Sequence, residues 1–150
     1  MDAAHIHLLL NHIPILGTIF GLLLLIYGMW RNSDQVKRAS LGVFILTALV
    51  TIPVYLSGDG AADIVRNLPG VSLDIIRQHD DSAAITLIAI EILGAVSLLN
   101  LWLSRRLLEL KGWMTLSALI LAVISSGLGA WTGNLGGQVH HPEVRADFQK

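Results

Sequence analysis

Six histidines (His5, His7, His12, His79, His140 and His141) are the residues whose type and spacing point most directly to chemistry. Histidine is the commonest neutral metal ligand, and its charge changes near physiological pH. His5, His7 and His12 lead into the first apolar stretch, His79 precedes the third, and His140 and His141 follow the fourth. If those stretches are helices of one bundle, all six histidines gather at one end, which predicts a metal or haem site. The chain has no cysteine. That excludes covalent c-type haem attachment, iron–sulfur clusters, thiolate zinc sites and disulfides.

The elements that must position these side chains follow from composition. The chain has 150 residues, 53% of them apolar and 14% charged, with a mean hydropathy of +0.65. A soluble domain carries about 25% charged residues. A bilayer core needs about 20 mostly apolar residues per helix. Four stretches qualify, at 8–30, 39–57, 82–103 and 113–133. The expected fold class is therefore an all-α membrane protein, a single domain built as an up-down-up-down four-helix bundle.

Charge orients it. The two short loops between spans one and two and between spans three and four carry Arg31, Lys37, Arg38, Arg105, Arg106 and Lys111 against Asp34 and Glu109. The opposite end carries Arg66, Arg77, Arg145 and Lys150 against eight acids. The positive-inside rule puts the basic loops in the cytoplasm and both termini, with the histidines, outside. The N-terminus lacks a basic region and a clear cleavage site, so no cleaved signal peptide is expected. Trp30, Trp102, Trp113 and Trp131 fall near span ends, as interface anchors do. Basic residues are few and confined to short loops, so no nucleic-acid partner is expected.

The external loop is expected over 58–81. Ser57, Gly58, Asp59 and Gly60 should end span two, and Leu68, Pro69 and Gly70 should form a turn. Ser72 is a candidate helix cap. On the helix that it starts, Ile75, Ile76 and His79 share a face that turns His79 inward.

Taken singly, His12 is the strongest candidate, because Leu8, Leu9, Leu10, Ile13 and Pro14 surround it and polar groups at membrane depth are costly and usually functional. In a helix reaching that far, His7 and His12 point about 140° apart and would serve different neighbours. His5 and His7 belong instead to an interfacial lead-in if the helix starts near Asn11. Asp80 and Asp81 either orient an imidazole as acceptors or serve as the solvated first turn of span three. Gly136 and Gly137 should end span four and fold the chain back over the bundle mouth, bringing in one of His140 and His141. Glu91, the one acid in the body of a span, suits either proton handling or a hydrogen bond across helices. Gly17, Gly21, Gly28, Gly94, Gly127 and Gly129 predict close helix packing.

The run His7, Leu8, Leu9, Leu10, Asn11, His12, Ile13, Pro14 and Ile15 resembles the domain of unknown function 2231 family of small four-span bacterial membrane proteins. Ser57-Gly58, His79 and Gly136-Gly137 ahead of a histidine extend the likeness over nearly the whole chain. Two departures stand out: Ile13 replaces the usual phenylalanine, and the terminal histidine follows the glycine pair more closely than is usual. The resemblance implies a relative of b-type cytochromes in the bacterial inner membrane, with a haem-binding site and no assigned reaction.

Three functions compete. The leading one is a b-type cytochrome-like subunit holding one or two haem b groups near the periplasmic face. Its axial candidates are His12 with His79 or His140, then His7, with His141 and His5 secondary. It would pass electrons between a periplasmic cytochrome and the quinone pool, inside a larger membrane redox complex, and not as a stand-alone enzyme. The second is a non-haem site for Zn, Fe or Cu, built from imidazoles with Asp59, Asp63, Asp80, Asp81 or Glu143. The third is an assembly subunit with interfacial or pH-responsive histidines.

Overall fold

The computed structural model describes residues 7, 9–66 and 70–141. Four helices make up almost all of it: α1 (His12–Trp30), α2 (Asp34–Val65), α3 (Leu73–Arg106) and α4 (Gly112–His140). There is no strand among the described residues. Each helix is long and apolar enough to cross a membrane, so the chain is a multi-pass membrane protein. Leu16, Leu23, Leu46, Leu49, Ile88, Leu98, Leu116 and Ile120 point outward and exposed, which only a lipid solvent makes favourable.

Short connections force neighbouring helices antiparallel. At the α1–α2 turn Asn32 adopts a left-handed φ of 48°, a conformation asparagine tolerates better than most residues. Ser33 then caps α2 by accepting from the Val36 N–H at 3.5 Å, and Asp34 in the first turn suits the helix dipole. Each helix packs on its sequence neighbours, and α1 also packs on α4, closing a four-sided ring with α1 and α3 at opposite corners.

The helices run farther than hydropathy predicts. Ser57–Gly60 does not end α2, which continues to Val65. Ser72 does cap a helix, accepting from the Ile75 N–H at 3.5 Å, but that helix is continuous with the third span. Gly136 and Gly137 lie inside α4 instead of ending it. The expected 58–81 loop therefore shrinks to the residues between Val65 and Leu73. Backbone hydrogen bonding explains the difference, since a glycine costs an established helix only about 1 kcal/mol relative to alanine. With 34 residues α3 rises about 51 Å, against about 28 Å for the 19-residue α1. The overhang walls in one end of the bundle.

The core lies toward the other end. Leu25, Leu41, Phe44, Leu93, Leu110, Met114, Ala118 and Ala122 form one buried cluster. Gly21 receives the Phe44 ring and Gly17 receives Thr47. A methyl on Gly94 would lie 2.5 Å from the Ala48 Cβ, so α2 and α3 approach as closely there as small residues permit. Gly127 departs from the expected packing role, because nothing lies within 4 Å of where its side chain would be.

A histidine-lined cavity at the mouth of the bundle

At the end where α1 and α3 begin and α2 and α4 finish, the bundle opens into a cavity of about 490 Å³. That volume falls within the range of about 300–1,000 Å³ typical of small-molecule and cofactor sites. His7, His12, His79 and His141 all line it. His5 and the side chain of His140 lie outside the described residues. Ile15, Val54, Ile76, Leu87 and Val139 supply apolar wall, and Asn11, Asp59 and Asp80 supply polar groups. Among the described residues no lysine or arginine lines the cavity.

Two of the imidazoles are fixed by neighbouring helices. His79, on α3, directs Nδ1 at the Thr132 carbonyl of α4, 3.1 Å away. His7, just ahead of α1, directs Nδ1 at the Val54 carbonyl of α2, 3.0 Å away, with Ser57 Oγ at 3.3 Å. A carbonyl oxygen only accepts, so in both rings Nδ1 carries the proton and donates. The neutral tautomer then keeps its lone pair on Nε2, the arrangement in which a backbone acceptor orients a metal-ligating histidine. His12, the candidate the sequence ranks first, is the exposed first residue of α1. The five-residue spacing separates the roles: His7 is held against α2, and His12 lies at the rim.

The glycines expected to end helices instead make room for rings. A methyl on Gly136 would lie 3.1 Å from His79 Cε1 and 3.4 Å from Nδ1, closer than side chains normally pack. Gly58 faces His7 Cε1, 3.7 Å from the place of its missing side chain. Below His79 a hydroxyl cluster braces α3 against α4. Thr132 Oγ1 is 2.6 Å from Ser82 Oγ and 2.8 Å from Thr86 Oγ1, and all three residues are buried. Sequence reasoning missed this brace, although a signal was present. His79, Ser82 and Thr86 stand at i, i+3 and i+7, a polar stripe running into an otherwise apolar helix.

The acids sort themselves by position. Asp80 lines the cavity within electrostatic reach of His79, His7, Asp59 and Asp81. Asp81 is exposed, and the acceptors seen to orient the rings at Nδ1 are carbonyls. Glu91 is half-buried, and its Oε1 is buried with no hydrogen-bond partner among the described residues. Asn11 Oδ1 is in the same condition and lines the cavity. Among the described residues no three His, Asp or Glu side chains converge closely enough to hold a metal ion alone. Compared with protein-family models, with curated proteins and with solved structures, the chain matches none.

Proposed function

We propose that the chain is a b-type cytochrome-like membrane subunit whose cavity would take one haem b, held by His7 and His79. The observation that carries this reading is the pair of carbonyl-anchored imidazoles, supplied from opposite corners of one apolar cavity. Haem iron needs only two axial side chains, because the macrocycle fills the other positions. Gly136 and Gly58 make the room that the two imidazole rings themselves occupy.

When bound, the haem would supply one-electron redox chemistry. The chain's own residues would do the rest. The Thr132 and Val54 carbonyls hold each imidazole in the tautomer that presents Nε2. The hydroxyl brace keeps α3 and α4 in register, and the apolar wall residues would limit water in the cavity. Charge asymmetry supports a periplasmic position for the cavity in a bacterial inner membrane. From there the subunit would pass electrons between a periplasmic redox protein and the quinone pool, within a larger membrane complex.

The test is a dithionite-reduced minus oxidised spectrum of detergent-purified protein and of its His7→Ala, His79→Ala and His12→Ala variants. A sharp b-type α band is expected in the parent and the His12 variant. It should be lost or turned high-spin in the other two. A band that survives loss of both His7 and His79 would refute the ligand assignment.

A further inference from the structure

At the opposite end of the molecule, independently of any haem, cationic side chains gather around the seam between α2 and α3. Arg38 on α2 donates from Nη1 to Ser104 Oγ on α3 at 2.5 Å. Ser104 is fully buried, so this bond closes the end of the seam that Gly94 and Ala48 make tight farther in. Arg105 follows Ser104 by one residue, about 100° around the helix. The Arg106 guanidinium lies 5.4 Å from the centre of the Trp102 ring. Arg105, Arg106 and Trp102 are exposed, as are the apolar residues Leu49 and Leu98 farther along α2 and α3.

The two acids of this end do not cancel the arginines. Asp34 is near Arg38 but accepts from Lys37 Nζ at 2.9 Å, and Glu109 pairs with Lys111 at 2.5 Å. Lysines thus hold both carboxylates, while Arg38, Arg105 and Arg106 all lie at the ends of α2 and α3 where headgroups begin. A guanidinium fork matches phosphate oxygens, and a tryptophan favours that depth. Basic pockets between transmembrane helices on the cytoplasmic side are where acidic headgroups bind.

We propose that Arg38, Arg105, Arg106 and Trp102 form a binding site for an anionic phospholipid, its phosphate among the guanidiniums and its acyl chains along the outer groove between α2 and α3. This is a localised site, distinct from the diffuse attraction of a basic surface to an acidic membrane.

The experiment uses the full chain with one tryptophan left. Trp30→Phe, Trp113→Phe and Trp131→Phe leave Trp102; a sister protein keeps Trp113 instead. Each is reconstituted in phosphatidylcholine bilayers doped with acyl-brominated phosphatidylglycerol or brominated phosphatidylcholine, and quenching gives relative association constants. Trp102 should prefer the anionic lipid by roughly fivefold or more, about the effect of one cation near the surface, and keep most of that preference in 0.5 M salt. Arg105→Gln with Arg106→Gln should abolish the preference while leaving the helical circular dichroism unchanged. Arg38→Gln alone should reduce it. Equal quenching by both lipids would overturn the proposal. So would an equal preference at Trp113, or displacement by millimolar inorganic phosphate, which would mark a site for the free ion.

Discussion

One bundle contains two unlike halves. Toward the basic end the interior is packed: Phe44, Leu41, Leu93 and Met114 are fully buried. Its interior amide is satisfied as well, since Asn100 Nδ2 donates to the Met114 carbonyl at 2.9 Å and to Ser117 Oγ at 3.3 Å. Toward the histidine end the same four helices enclose a cavity walled by small residues, hydroxyls and imidazoles. The packed half reads as the stabiliser of the bundle, and the hollow half is where we propose its chemistry. Stability is concentrated where no ligand is needed, which leaves the other end free to hold space open.

Phe44→Ala should break the packed half most severely. Removing a fully buried phenylalanine costs about 3–5 kcal/mol, read as a fall in the detergent-solubilised melting temperature, with the spectrum of any folded fraction unchanged. Thr132→Val should cost less, about 1–3 kcal/mol, because Ser82 and Thr86 lose their shared hydroxyl partner. The carbonyl that anchors His79 remains, so the α band should persist.

Gly136→Ala sharpens the contrast. Alanine raises helix stability by up to about 1 kcal/mol, yet its methyl would press on His79 Cε1. Haem affinity should fall by about tenfold, as when groups orienting a metal ligand are disturbed, while the melting temperature holds or rises. A parallel change in both would mean that the cavity and the core are one unit. The smallest effect is expected of Gly127→Ala, with open space around it: a gain of no more than about 1 kcal/mol and no spectral change.

The four helices and their pairing were legible in the sequence, because about 20 apolar residues in lipid admit almost no structure but a helix. The gathering of His7, His12, His79 and His141 at one end followed from counting spans. The helix ends at the histidine end of the bundle, the Ser72 cap apart, were not legible. Glycines at 58, 60, 136 and 137 each cost a helix only about 1 kcal/mol, too little to end one whose backbone hydrogen bonds continue past them. Nor could the choice among histidines be read from residue types. His7 and His79 are distinguished by backbone carbonyls at Val54 and Thr132, and a carbonyl is present at every residue. The Ser82 and Thr86 stripe was visible, but its partner Thr132 was not, since that pairing depends on the register of α3 against α4.

The most direct test of the cavity as a haem site is pyridine haemochrome quantification of the purified protein, produced in cells supplied with excess haem precursor. One haem b per chain, lost when His7 and His79 are replaced together, is the predicted result. Well-folded protein with no haemochrome under those conditions would contradict the account.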